Sequence, residues 1–299
     1  MEPRISVNGR ITPPGEAVVP VLDRGFLYGD SVYEVLWWHR GAPIQLDEHL
    51  DRLQRSADRL YLDLGHDRTE LLEAMQATVA ATGAREHDEV YVRLIVTRGA
   101  GALGLAVDPA ARPHQVVIVA PARRPAPGHA LALVVVERER IGRRALDPAA
   151  KTGNYMNNAL ALHEARAAGA DDALLLNADG WVTEASTANV YGVERGAVVT
   201  PALEAGLLEG TTRRRILALA AELRIPAREE PVRPERLRAA EEIFLSSSVR
   251  GIVPVRSLDG HPIGTQWPGP VTARLRAAFE ARADAEARAW HAARERPGP

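Results

Sequence analysis

The chain has 299 residues, of which 46% are apolar and 25% charged, an ordinary composition for a soluble globular protein with room for two domains. Its formal net charge of -2 argues against a general nucleic-acid-binding surface. With no cysteine, a disulfide, a thiolate nucleophile and a Cys-ligated metal are all excluded. The opening stretch MEPRISVNGRITPPGEA has no apolar core of signal-peptide type, and no run reaches the length of a membrane span. A cytoplasmic protein is expected.

RISVNGRITP predicts a hairpin turning at Asn8-Gly9, and SVYEVLWWHRGAPI a second turning near Arg40-Gly41. In LDEHLDRLQRSADRLYLDL, Leu46, Leu50, Leu53, Ala57 and Leu60 follow a helical repeat. RTELLEAMQATVAATG predicts a second helix, closed by Gly83. EVYVRLIVTRG and HQVVIVAPA read as strands, and the Pro- and Gly-rich ARRPAPGHA at 122–130 as a linker. Beyond it, LALVVVERER predicts a strand and NNALALHEARAAGA a helix ending at Gly169. DDALLLNADGWVTEAS predicts two strands turning at Asp179-Gly180, and NVYGVERGAVVTP a further hairpin. GTTRRRILALAAELR predicts a helix starting just after Gly210, EEIFLSSSVRGIVPV a strand entering a polar turn, and GPVTARLRAAFEARADAEARAWHAARE a long final helix. The expected organisation is a small α/β domain over 1–121, the linker 122–130 and a larger domain over 131–299.

The basic residues are unevenly chosen: of 37 Lys and Arg, Lys151 is the one lysine. Heavy use of Arg, Ala, Gly and Pro suits a GC-rich coding background, under which surface lysines drift to arginine. Guanidinium replaces ammonium as a solvated charge, but it stays protonated and cannot attack a carbonyl. Lys151 is therefore a candidate for covalent amine chemistry, such as an imine with pyridoxal 5′-phosphate (PLP). The cofactor's phosphate wants backbone N–H groups at a helix start, and GLLEGTTRRRIL offers Gly210, Thr211 and Thr212. Its pyridine nitrogen wants a carboxylate, which Glu184 in WVTEASTANV supplies. Its ring hydroxyl wants a phenol, and Tyr155 follows Lys151 by four residues. Taken singly, each feature has an ordinary structural use, a capped helix or an edge-strand carboxylate among them. The set in this order points to the cofactor.

KTGNYMNNALA, VTEASTANVYGV, LLEGTTR and EHLDRLQRSA together resemble the class IV, fold-type IV PLP enzymes, from DRGFLYGDSVYEV at Asp23 to a segment ending at Gly260. That family holds branched-chain and D-amino acid aminotransferases, (R)-amine transaminases and aminodeoxychorismate lyases. The resemblance implies a two-domain, mixed α/β fold and a homodimer with the active site near the subunit interface. It implies that Lys151 forms the Schiff base and carries the proton, Glu184 pairs with the pyridine nitrogen and Tyr155 with the ring hydroxyl. Arg52 would reach the phosphate, joined by Thr211 and Thr212, with Ser248 where many relatives have threonine and Leu208 against the cofactor ring.

Tyr33, Val35, Trp37, Tyr91, Arg93, Arg98, Val249 and Arg250 are the expected specificity positions, with Arg98 and Arg250 as candidates for a substrate carboxylate. Adjacent strand residues face opposite ways, so Trp37 should share the face of Tyr33 and Val35, and Trp38 should not. KTGNYMNNALALHEA and PVRSLDGHPIGTQWPGPVT favour a branched-chain enzyme working by a ping-pong cycle between an amino donor and a 2-oxo acid. YEVLW in place of FEGIR departs from the branched-chain pattern, and TRGAGALGL and SSSVRGIVPV lean towards the lyase. TRGAGALGLAVDPAARPH lacks the Pro-Arg-x-His element typical of the D-amino acid enzymes, and D-amino acid or (R)-amine transamination stays as a further alternative. A non-catalytic binding protein is the alternative of another class. Neither metal, nucleic acid nor membrane is expected as a partner.

Overall fold

The computed structural model describes residues 1–107 and 111–295. Contacts divide the chain into two units: Met1–Arg123 with Ala150–Asn154 and Ala283–Pro299, and Arg124–Ala149 with Tyr155–Arg282.

The first unit contains β1 (Arg4–Val7), β2 (Arg10–Thr12), α1 (Arg24–Tyr28), β3 (Ser31–His39), β4 (Ala42–Pro43), α2 (Leu46–Arg59), α3 (Arg68–Ala81), β5 (Val90–Thr97) and β6 (His114–Pro121). Its six-stranded sheet has the order β2-β1-β6-β5-β3-β4, and every neighbouring pair is antiparallel. Both predicted hairpin turns form, with Asn8 and Gly9 and then Arg40 and Gly41 at positive φ, as the twist of a tight two-residue hairpin demands. Alternation sorts the strands into faces. Val32, Leu36 and Trp38 of β3 pack with Leu50 and Leu53 of α2 and Leu71 and Met75 of α3 in one buried cluster. The odd-numbered residues of β3 take the opposite face.

The second unit contains β7 (Leu131–Glu139), α4 (Met156–Ala167), β8 (Asp172–Leu176), β9 (Val182–Ala185), β10 (Asn189–Glu194), β11 (Ala197–Pro201), α5 (Thr211–Glu222), β12 (Ala227–Glu230), α6 (Pro234–Arg238), β13 (Glu242–Ser247), β14 (Gly251–Leu258) and β15 (His261–Pro262). The long helix α7 (Pro270–Glu295) starts in this unit. The sheet order is β12-β11-β10-β13-β14-β7-β8-β9, with β15 on β14. β7 is parallel to both β14 and β8, so the sheet is mixed. Leu174, Val190, Val199, Ile243 and Val255 centre its core.

The β8–β9 turn falls at Asp179-Gly180 as expected, with positive φ at Gly180 alone, and Asn177 organises it by accepting from Gly180 N and pairing with Trp181. Two features differ from the sequence expectation. Residues 150–154 fall inside the expected second domain but group with the first unit. Val32 bridges Thr152, Tyr33 N donates to Lys151 O at 3.0 Å, and Gly153 N donates to Ser31 O at 3.0 Å. The last turns of α7 also group with the first unit, where Asp284 meets His39 and Arg40 and Glu286 accepts from Gln45 N. Among the described residues, no helix is long and apolar enough to cross a membrane.

Candidate active site

In the first unit, Lys151 is held at three points. Its N–H donates to Ser56 Oγ at 3.0 Å, its carbonyl accepts from Tyr33 N at 3.0 Å, and its Nζ lies 3.3 Å from Tyr33 Oη. The ammonium also sits 4.4 Å from the Tyr33 ring centroid, within cation–π range. Two positions further on the chain needs a glycine, because a Cβ at Gly153 would come 2.3 Å from Ser31 Oγ.

The sheet register explains the surroundings of Tyr33. β5 pairs Val35 with Arg93 and Trp37 with Tyr91. Directly opposed residues share a face, so Tyr91 and Arg93 join Tyr33, Val35 and Trp37, the three the sequence alternation places together. The Arg93 guanidinium stacks on Tyr33, with Cζ 4.0 Å from the ring centroid, and no carboxylate pairs with it among the described residues. Trp37 is buried, donates its indole N–H to Glu89 and packs against the His39 ring. Trp38 belongs to the core on the other face.

Behind this face lies a buried charged cluster. Glu34 is fully buried and accepts from Arg52 Nε and Nη2, each at 2.7 Å, with His49 Nδ1 at 2.6 Å. Burial opposes ionisation of Glu34, but the charges and hydrogen bonds of Arg52 and His49 outweigh it and hold the carboxyl well below the usual range. Burial pushes the His49 imidazole down, against the pull of Glu34, so Arg52 supplies the main balancing charge. Arg52, expected at a phosphate, thus has two donors on Glu34.

Arg98 differs from expectation. Its Nε and Nη2 bond Asp30 at 2.8 and 3.0 Å, and its Nη1 and Nη2 reach the carbonyls of Tyr61 and Leu60. Its guanidinium clamps the end of β5 to the loop after α2, which leaves it no donor face for a substrate carboxylate.

In the second unit, Glu184 on β9 is buried, accepting from Arg140 Nε at 2.8 Å and Leu208 N at 3.3 Å. Leu208 O accepts from Asn189 Nδ2 at 3.0 Å, and a Cβ at Gly210 would lie 2.1 Å from Asn189 Oδ1. The loop from Leu208 to Gly210 is therefore tied to both Glu184 and Asn189 before it enters α5. No side chain caps α5, Thr211 and Thr212 are buried there, and Thr212 Oγ1 has no hydrogen-bond partner. A buried hydroxyl without a partner is costly unless something completes it. An uncapped helix start with that hydroxyl fits an anionic oxygen such as a phosphate's.

Tyr155 stands at the N-cap of α4, its carbonyl accepting from Ala159 N. Ser248, Val249 and Arg250 form the β13–β14 turn, where Arg250 reaches Thr187 Oγ1 at 3.0 Å, Ser247 Oγ at 3.3 Å and the Asp172 carboxylate at 3.6 Å.

A family model described as amino-transferase class IV matches residues 31–258. The chain belongs to the class IV aminotransferases. A putative branched-chain-amino-acid aminotransferase of Methanocaldococcus jannaschii is 34% identical over 277 residues, covering 93% of this chain and 95% of the relative. A D-alanine aminotransferase of Bacillus licheniformis is 30% identical, with 93% and 96% covered. Among solved structures, branched-chain aminotransferase from Thermoproteus uzoniensis with norvaline matches with TM-score 0.87 at 30% identity, covering 95% of each chain. A T.th. branched-chain amino acid aminotransferase with pyridoxamine 5′-phosphate matches with TM-score 0.87 at 32% identity, covering 95% of this chain and 94% of that one.

The fold is thus that of the fold-type IV enzymes, and the aminotransferase is PLP-dependent. Its residues fit the cofactor in kind: one primary amine at Lys151, a buried carboxylate at Glu184 and an incomplete anion cradle at Thr212. The sequence reading missed Glu34, His49, Ser56 and Arg140. The first three carried a signal: His49, Arg52 and Ser56 recur on one face of α2, and Glu34 is a carboxylate on the core side of β3.

Proposed function

We propose that this aminotransferase moves the amino group of a branched-chain L-amino acid to a 2-oxo acid by a ping-pong cycle, with Lys151 as the reacting amine. The observation that carries the reading is the Lys151–Tyr33–Arg93 group: an amine 3.3 Å from a phenol, beside an arginine without a carboxylate partner among the described residues. Such an arginine suits a substrate carboxylate, and Val35, Tyr91 and Trp37 on the same face suit an apolar side chain.

Bound PLP supplies an aldehyde for amine exchange and a ring that withdraws electrons from the substrate's alpha carbon. The Lys151 amine accepts and returns the proton at that carbon, and the Tyr33 hydroxyl holds the amine in place between transfers. Glu184, which accepts from Arg140 Nε at 2.8 Å, would hold a proton at the ring nitrogen, and Tyr155 would donate to the ring oxygen. Thr211, Thr212 and Ser248 would hold the phosphate and Leu208 would pack on the ring, and Arg52 would be a further donor to the phosphate. Val249 and Arg250 contribute to the substrate side.

A homodimer is part of this reading. Val18, Val21, Phe26, Leu103 and Leu105 are exposed in the first unit, an apolar surface a second subunit would cover. The match to a D-alanine aminotransferase favours a second reading, transfer from D-amino acids. The deciding experiment is the visible absorbance of the cofactor-loaded protein with L-leucine and, separately, D-alanine, without acceptor. Bleaching by L-leucine alone supports the branched-chain reading, and bleaching by D-alanine alone overturns it.

A further inference from the structure

Ser56 lies fully buried on α2, one helical turn beyond Arg52. Its hydroxyl donates to Arg52 O at 2.8 Å and accepts from Lys151 N at 3.0 Å. A hydroxyl is a side chain that can serve a carbonyl and an amide N–H at once. Two further contacts of the lysine run to one β3 residue: Tyr33 N donates to its carbonyl, and its amine lies 3.3 Å from Tyr33 Oη. Two rigid elements therefore frame Lys151, α2 through Ser56 and β3 through Tyr33. The same two elements are locked to each other by Glu34 with Arg52 and His49.

We propose that Ser56 is a positioning residue of the reaction: its hydroxyl ties the Lys151 backbone to the turn of α2 that carries Arg52 and so fixes the amine's place against Tyr33. The proposal rests on the reading of Lys151 as the reacting amine. Without the hydroxyl, the Lys151 N–H loses its bond to Ser56, and with it this tie to α2. Small displacements of a reacting group are expensive: about 1 Å of misplacement can cost on the order of a hundredfold in rate.

Because the chain holds one lysine, the amine can be observed directly. Reductive methylation with ¹³C-formaldehyde labels Lys151 in the full-length, cofactor-free protein, apart from the chemically distinct N-terminal amine, and NMR follows it against pH. Ser56→Ala is expected to shift that resonance. In the cofactor-loaded enzyme it lowers kcat on the order of tenfold while KM stays within about twofold. Ser56→Thr, which keeps the hydroxyl, should restore both.

A wild-type resonance and kcat in Ser56→Ala overturn the proposal. So does a Ser56→Thr protein as impaired as Ser56→Ala, because packing alone would then be at issue. Should Ser56→Ala not fold, Ser56→Cys fills nearly the same space with a weak donor; reduced kcat is expected, and wild-type kcat is refuting. A wild-type chain that shows no cofactor band when supplied with PLP, or keeps one in Lys151→Ala, overturns the reading of Lys151 and this inference with it. A normal wild-type band with an unaffected Ser56→Ala overturns the inference alone.

Discussion

Replacing Glu34 by Gln tests the charged cluster behind the lysine. The amide keeps the volume but not the charge, and leaves Arg52, 4% exposed, without the carboxylate that takes two of its N–H groups. Removing one partner of a buried ion pair costs about 3–5 kcal/mol. At about 2–4 °C per kcal/mol for a domain of this size, the melting temperature should fall by roughly 6–20 °C. The sign of the pH dependence follows from the depressed Glu34 carboxyl. Its stabilisation is present above the ordinary glutamate range and is lost as pH falls through the folded value. The gap between wild type and Glu34→Gln, followed by circular dichroism, should be full at pH 7 and shrink in strong acid. The double variant Glu34→Leu/Arg52→Met, which removes both charges, should recover part of the loss. A Glu34→Gln protein melting within about 2 °C of wild type at pH 7 would refute the reasoning.

Three further outcomes are expected. His39 has carboxylates at both ring nitrogens, Glu89 at 2.7 Å and Asp284 at 2.9 Å; burial opposes its protonation, but these partners raise the imidazole above its ordinary value. Its stabilisation is thus full below the ordinary histidine range and lost as pH rises through the raised value, so denaturant midpoints of wild type and His39→Asn should converge as pH rises above that range. Gly210→Ala should weaken retention of the cofactor on desalting, because the new Cβ falls 2.1 Å from Asn189 Oδ1 and displaces the loop entering α5. Thr212→Val removes an unpartnered buried hydroxyl, so the cofactor-free protein should be at least as stable by thermal melting while cofactor affinity, measured by fluorescence titration, falls on the order of tenfold.

The elements that sequence pattern identifies here are those with a local cause. Asn8-Gly9 and Arg40-Gly41 form turns because their own backbone accepts positive φ. α2 and β5 follow apolar periodicities that need no knowledge of the rest of the chain. α1, by contrast, is five residues long and exists because the Asp23 side chain caps it while bonding Thr97 and His114. α6, with five residues, and β12, with four, carry no repeat long enough to read. The same limit explains the division of the chain. The Pro- and Gly-rich run contains the first boundary, but the grouping of 150–154 with the first unit rests on backbone bonds to Ser31, Val32 and Tyr33. No composition shift marks such bonds.

The site shows where residue type stops being informative. Lys151 stands out because it is one lysine among 36 arginines, and only its amine can exchange with an aldehyde. No arginine stands out in that way; Arg52, Arg93, Arg98 and Arg250 are alike as letters. Their partners separate them. Arg98 has its donors on Asp30 and two carbonyls and acts as a brace. Arg52 is shared with a buried carboxylate, and Arg250 reaches two hydroxyls and lies near Asp172. Arg93 faces an aromatic ring, which attracts a cation but leaves its N–H fork able to take a carboxylate in the plane. A substrate that brings a carboxylate gains most from the arginine whose partner does not compete for that fork. Arg93→Met should therefore raise KM for the amino acid more than Arg250→Met does. Equal effects of the two substitutions would place the carboxylate elsewhere.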